Sequence, residues 1–563
     1  MKNRLKNISP SALKPWMKYY PDNVNEWGNE MNSIYNLFGK VVEEKPDDLA
    51  YIEFKTGRKV TYKELLTEAD AFANGLSNLM LPGNYRVGML GFNCSIDPVV
   101  LLGANKLGVP VVFIGPDGSP HDIAENVKHV DILIMQNVFA ELEPLVNSAG
   151  IPVILYGPVP KLPSPRCSRY EDFISNSMDY DVKAVVPTED MDAMVIFSSG
   201  STGVAKPIVH SNSTVTAAIR KMMRSDFPID ESSYLIKVIP SHIGLGSITT
   251  MLTGLLSGVP YVQISGLPNP AVDMAQETLE LITNFTRWKK QNGLMDDRGL
   301  ILFAAPMFAR YYLSKVEEIH DLSALKGILF GGSKMPKEEL DAMEAIFKQK
   351  GLQVPICNGY GQNEMGGAVA LNTVHHNKNG SAGYPVIGTN VKIVDRNTLE
   401  EVGFNTVGLV VEQSDSQFVR YMGMPERTAQ AEIVLADGTK WFNSTDLGYI
   451  DEDGFLFITG RTTRVVIRWD HKVSLDVIET KMKSFPEIAD VAVVQNESKQ
   501  EIVAFVTPNK HFVPEKLMDQ IRNGGTSLSI FEIPERIEMM EDLPKMNNGK
   551  INYRLLTETV DTQ

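Results

Sequence analysis

Cysteine is scarce in this sequence: Cys94, Cys167 and Cys357 are the three among 563 residues. Thiols so few and so dispersed exclude a disulfide framework and a cysteine-built metal cage, and they fit a reducing compartment. A basic surplus is also lacking. Lys+Arg number 54 against 69 Asp+Glu, and the formal charge of −15 excludes a broad electrostatic grip on nucleic acid or on an anionic membrane. A polyanionic ligand must therefore be met by a local site. The opening MKNRLKNISPSALKPWMKYY starts basic but never reaches the apolar stretch of a secretory signal, so a cytoplasmic protein is expected. One uncharged stretch, from Ile243 to Val272, is long enough to cross a bilayer. Ser247, Thr249, Thr250, Thr253, Ser257, Pro260, Gln263 and several glycines interrupt it. It is read as a buried helix, then GVP, then a strand from Tyr261 to Ile264, and no transmembrane span is expected.

What is present is an ordinary globular composition, 43% hydrophobic and 22% charged, in a chain long enough for more than one compact unit. Short apolar strands alternate with amphipathic helices: YRVGMLGF before a helix near Pro98 to Leu107, then VPVVFIG, DILIMQ and IPVILYG. The pattern returns in GLILFAA, in LKGILFGG before a helix near Lys337 to Lys350, and in VPICNGY. Such alternation predicts parallel sheets covered by helices on both faces, in two doubly wound units. From about Val391 the texture changes to KIVD, GLVVEQ, GTKWFN and GYIDEDGFLFITG, with DG turns between short strands, which predicts a small antiparallel region. After Gly460 a last unit mixes strands (VVIRW, VAVVQ, IVAFVT) with two helices. The expected fold is α/β: a large N-terminal body of two doubly wound subdomains plus a small β subdomain, spanning 1–460, and a small mobile α+β C-terminal domain, 461–563. The first forty or so residues read as an irregular lead-in.

The stretch IFSSGSTGVAKPIVHS, Ile196 to Ser211, follows the apolar strand AMVIF. Glycines let backbone N–H groups approach an anion, hydroxyls add donors, and Lys206 adds a point charge, so phosphate is the natural guest. GSTGVAK lacks the four-residue Walker spacing, which argues against an ordinary P-loop kinase or ATPase. Standing alone, the loop would also read as a Ser/Gly-rich turn beside a solvated lysine.

Other stretches stand in a fixed order around it: LLGANKLGVPVVFIGP, VIPSHIGLG, LFGGSKMP, NGYGQNE, GSAGYPVIGTNVKIVD, STDLGYIDEDGFLFITGR and LPKMNNGKINYRLL. In order and spacing the chain resembles the adenylate-forming superfamily of acyl-CoA synthetases, adenylation domains and luciferases, closest in look to acyl-CoA ligases. The resemblance implies that a carboxylic acid and ATP give an acyl-adenylate and pyrophosphate, and that a phosphopantetheine thiol, of CoA or of a separate acyl carrier protein, then displaces AMP. It implies that Ser198, Ser199, Gly200, Ser201, Thr202, Gly203 and Lys206 hold the β- and γ-phosphates. Gly332, Ser333, Tyr360 and Gly361 would bracket adenine, with Asn363 at the place of a usual threonine. Glu364 would bind magnesium, a hard cation suited to a carboxylate and phosphate oxygens. Asp446 would accept the ribose hydroxyls, Arg461 would reach ribose or phosphate, and Lys550 would be delivered to the carboxylate and α-phosphate. His242 would stand beside the acyl site; a satisfied core histidine is the alternative reading.

GRTTRVVIRWDHKVSLDVIE departs from the family pattern. Thr463 stands at the usual hinge Asp or Lys, Asp470 at the glycine beside the pantetheine channel, and Leu475 and Val477 at a proline and a glutamate. IGLGS offers no carboxylate for a substrate ammonium, which disfavours α-amino acids. The altered segment leaves open a noncatalytic nucleotide-binding regulatory homologue beside the enzyme.

Overall fold

A computed structural model describes residues 9–21, 32–79, 85–116, 120–148, 150–178, 182–186, 188, 191–198, 205–265, 270–332, 335–468, 471–496, 499, 501–509, 517, 528, 532–546 and 550–561. Two large sheets form the body. The first has eight strands, and its parallel run, in spatial order, is Asp192–Phe197, Val111–Ile114, Val87–Leu90, Ile132–Gln136, Val153–Tyr156 and Cys167–Arg169. Antiparallel Pro207–Ser211 and Arg420–Tyr421 extend the Asp192 edge. The second has nine strands around a parallel run of Ile356–Gln362, Leu325–Phe330, Gly299–Ala304, Ser233–Lys237, Tyr261–Gln263 and Leu49–Glu53. Val87–Leu90, Val111–Ile114 and Gly299–Ala304 are buried along their whole length, the continuous apolar pattern of strands covered on both faces.

The predicted strands and both predicted helices are present, the helices as Asp97–Lys106 and Lys337–Gln349. The uncharged stretch folds inside the body: a π-helical run Leu245–Leu252 continues into α-helix Thr253–Ser257 and strand Tyr261–Gln263. Gly246 lies so close to the preceding turn that a Cβ there would stand 2.2 Å from Ile239 O. No helix among the described residues is long and apolar enough to cross a membrane.

The described residues of the lead-in are more ordered than their sequence suggests. Trp16 is 2% exposed. Ser11 bonds Glu401 through its N–H and its hydroxyl, and Tyr20 Oη donates to Pro385 O at 2.9 Å. A helix, Ile34–Glu44, already begins within the first forty residues, capped by Ser33 Oγ accepting from Asn36 N. The Ser11 and Tyr20 contacts are with residues hundreds of positions away, which no local pattern discloses.

The small β region is antiparallel throughout: Thr389–Val394, Gly408–Ser414, Lys440–Ile450 and Glu432–Val434 in spatial order, with Leu456–Arg461 also pairing with Lys440–Ile450. One 3-10 turn, Thr462–Arg464, leads to the hairpin Val465–Arg468 and His471–Ser474. Beyond it lie helix Leu475–Met482, a sheet of Ile488–Asn496, Glu501–Pro508 and Arg536–Met539, and helix Tyr553–Asp561. Ile478, Met482, Val491, Ile502 and Val506 form a core apart from that of the large sheets.

Candidate active site

The carboxyl ends of the parallel strands carry most of the candidate residues, the place where open α/β sheets present loops to ligands. Strands Asp192–Phe197 and Pro207–Ser211 are antiparallel neighbours, so the Ser/Gly stretch is the loop between them. Its neck is closed by Ser198 N donating to Lys206 O and Lys206 N donating to Ser198 Oγ, both at 2.9 Å. Ser199, Gly200, Ser201, Thr202 and Gly203 lie outside the described residues, as does Ser333.

At this neck Lys206 Nζ stands 3.0 Å from Tyr421 Oη and 4.5 Å from the centre of that ring. Tyr421 Oη donates to Glu364 Oε1 at 2.9 Å, and Lys206 pairs with the same oxygen at 3.7 Å. Phe418 N donates to Glu364 O, tying the two segments together. Burial, reinforced by the Glu364 carboxylate, raises the Tyr421 hydroxyl far above the ordinary phenol range, so it stays a donor. Nothing in the sequence reading pointed to Tyr421: RYMGMPERT carries no periodicity or spacing that marks it.

Asp446 and Arg461 are cross-strand partners in the Lys440–Ile450 and Leu456–Arg461 pair, and the register alone sets Arg461 Nε 3.0 Å from Asp446 Oδ1. Tyr360 Oη stands 2.6 Å from Asp446 Oδ2 and 2.9 Å from Glu412 Oε1. Asp446 is 4% exposed; burial raises its carboxyl and Arg461 opposes that rise. The preceding residue, Thr445, is held at φ 62°, an uncommon conformation for a β-branched residue. Thr462 Oγ1 donates to Thr445 O and Thr445 N to Asn443 Oδ1, both at 3.0 Å, and these bonds offset the strain.

Asn363 joins three segments. Its Nδ2 donates to Phe197 O at 3.0 Å, its Oδ1 accepts from Gly244 N at 3.2 Å, and its carbonyl accepts from His210 Nε2 at 2.8 Å. Burial brings His210 down to about 4, so the ring is neutral at physiological pH. Asn363 therefore links the start of the phosphate-type loop to the IGLGS turn. Gly361 is a packing glycine: a Cβ would stand 2.0 Å from Gly367 O. Gly332 has φ +88°, open to glycine at little cost. His242, half-buried, lies in the turn before the π-helical run. Its neighbour Ser241 donates to Asp97 Oδ2 at 2.5 Å, and the same carboxylate pairs with the fully buried Lys237 at 3.4 Å.

Lys550 comes from the far end of the chain into this company. Its ammonium is brought down to about 8, by burial first and by Arg461 second, while Asp446 and Glu364 oppose the fall. Cations and carboxylates are thus brought together in a strongly acidic protein. Such a set can hold a phosphate chain and neutralise charge that develops during attack on phosphorus. As a magnesium site it offers Glu364 as a single buried carboxylate, and among the described residues no three His, Cys, Asp or Glu cluster around a metal position. That donor set fits magnesium, which is commonly held by one or two carboxylates together with substrate phosphates.

A family model described as AMP-binding enzyme matches residues 38–422, and one described as AMP-binding enzyme C-terminal domain matches residues 477–550; the chain belongs to the AMP-binding enzyme family. It is similar to the long-chain-fatty-acid–CoA ligase FadD13 of Mycobacterium tuberculosis, 26% identical over 534 residues, covering 90% of this chain and 95% of that protein. It is also similar to 4-coumarate–CoA ligase 1 of Arabidopsis thaliana, 24% identical over 539 residues, covering 92% and 91%. Among solved structures, ATP-bound MatB from Rhodopseudomonas palustris superposes with a TM-score of 0.78 at 19% identity, covering 94% of this chain and 99% of that one.

Proposed function

We propose that this protein is an AMP-forming acid–thiol ligase that activates a small carboxylic acid with ATP and passes the acyl group to the thiol of CoA. The observation that carries this reading is the placement of Lys550 in the field of Asp446, Glu364 and Arg461, next to the Lys206–Tyr421–Glu364 cluster. In the first half-reaction a carboxylate oxygen bonds the α-phosphorus, the bond from that phosphorus to the bridging oxygen breaks, and pyrophosphate leaves with the bonding pair. In the second the thiol sulfur bonds the acyl carbon, the acyl–oxygen bond to phosphate breaks, AMP leaves, and the thiol proton goes to solvent.

Each residue has a task that its surroundings support. Lys206 and the 198–206 loop hold the outer phosphates, and Tyr421 keeps Lys206 and Glu364 in register. Glu364 holds the magnesium ion, which when bound neutralises phosphate charge. Asp446, steadied by Arg461 and Tyr360, accepts the ribose hydroxyls, and the Tyr360 ring faces the purine. Lys550 brings positive charge to the carboxylate and α-phosphate. The 461–563 unit serves as the lid that delivers it, turning about Thr462–Arg464. His242 borders the acyl site.

The cytoplasm is the compartment this reading implies, consistent with three buried free cysteines. The test is acid-dependent pyrophosphate release over a panel of aliphatic, aromatic and amino acids, followed by transfer to CoA and to a holo carrier protein. Transfer to the carrier protein alone would make the protein a carrier-protein ligase. Nucleotide binding with no pyrophosphate released for any acid would make it a regulatory homologue.

A further inference from the structure

Glu412 belongs to none of the stretches that pointed to the site, yet it is fully buried against it. It lies on strand Gly408–Ser414, opposite Phe442 of the strand that carries Asp446. Both its oxygens are engaged: Oε2 accepts from Gln362 Nε2 at 2.8 Å, and Oε1 is 2.9 Å from Tyr360 Oη, which is itself 2.6 Å from Asp446 Oδ2. A tyrosine hydroxyl has one proton. Two ionised carboxylates facing that one hydroxyl would leave one oxygen–oxygen contact without a proton, in a dry place where the repulsion is poorly screened.

The surroundings decide which carboxyl is ionised. Asp446 has Arg461 on its other oxygen and the shorter contact to the hydroxyl, so it takes the tyrosine proton. Glu412 makes no ion pair among the described residues; Lys221 Nζ, the cation nearest in effect, donates instead to Met365 O and Ala368 O at 3.1 and 2.8 Å. We infer that Glu412 is a positioning residue for the nucleotide: through its own carboxyl proton it donates to Tyr360 Oη, and the chain Glu412–Tyr360–Asp446 fixes both the ring that faces the purine and the carboxylate that faces the ribose. This rests on the ATP-dependent reading above.

Burial of Glu412, with Asp446 adding to it, raises its carboxyl to about 8, in agreement with the proton count. The groups facing it are Asp446, Tyr360, Gln362 and Lys221, the last itself brought down to about 7 by burial. As pH rises through about 8 Glu412 loses its proton, a second anion faces Asp446, and the chain breaks.

The experiment measures the KM for ATP and kcat of pyrophosphate release for the wild type, E412Q, E412A, Y360F and the E412A/Y360F double variant, from pH 7 to 9. In E412Q an amide N–H replaces the carboxyl O–H, so its KM for ATP should match the wild type at pH 7 and stay flat where that of the wild type climbs. E412A should raise the KM about five- to tenfold, the worth of one hydrogen bond, with a smaller change in kcat. Adding it to Y360F should cost nothing more, because the hydroxyl through which it acts is already gone. Equal climbs in wild type and E412Q, or additive losses in the double variant, would overturn the inference; should E412A fail to fold, the E412Q profile decides. No pyrophosphate from the wild type would instead overturn the ligase reading.

Discussion

Lys550→Ala should abolish most acyl-adenylate formation without unfolding the protein. Lys550 is held by main-chain contacts, Met546 N to Lys550 O at 2.7 Å and the Lys545–Ile551 bridge, neither of which needs the side chain. The ammonium, by contrast, is a charge brought among Arg461, Asp446 and Glu364 where burial works against it, from the ordinary 10.5 to about 8. A unit charge about 4 Å from developing negative charge, at an effective dielectric constant near 20, contributes about 4 kcal/mol, roughly a thousandfold in rate. Removal of single donors at such sites costs on the order of a hundred- to a thousandfold. The working form is the ammonium, so the chemical step should be fully supported below pH 8 and fall as pH rises through about 8, where the proton is lost. Lys550→Arg, charged at every pH tested, should have a lower but flat profile. Single-turnover pyrophosphate release, with circular dichroism and thermal melting as controls on folding, reads all three. A wild-type rate in folded Lys550→Ala under chemistry-limited conditions would refute the reasoning.

Asp446→Ala should raise the Kd for ATP, measured by calorimetry, because it removes the proposed ribose acceptor and leaves Arg461 and Tyr360 without their common partner; an unchanged affinity removes Asp446 from the site. Tyr421→Phe should lower kcat about tenfold and raise the magnesium concentration needed for half-maximal rate, since the Lys206–Glu364 contact loses the hydroxyl that bridges it; a magnesium titration identical to wild type counts against that role. Asp470→Gly, outside the described residues, should speed transfer from preformed acyl-adenylate to CoA and leave adenylation unchanged. Fast transfer by the wild type, unimproved by glycine, would mark Asp470 as a harmless substitution.

Local sequence determined much of this protein. Continuous apolar runs such as VGML and GLILFA announced parallel strands, because strands buried on both faces must be apolar at every position. Glycines and hydroxyls around Lys206 announced an anion loop, and NGYGQNE, STDLG and NNGK placed Tyr360, Glu364, Asp446 and Lys550 by resemblance. Those signals are short-range: a spacing, a turn residue, a run.

Tertiary structure decided which distant residues meet. Sheet register set Arg461 against Asp446, fifteen residues apart in the chain yet side by side across two strands. Tyr421 came to Glu364, and Trp16 and Tyr20 to the 383–455 region, through packing that leaves no periodic trace. Glu412 read as one polar residue in an ordinary strand. Only burial beside Tyr360, Gln362 and Asp446 made its proton matter, because the cost of a charge depends on what surrounds it in space and not on its neighbours in sequence.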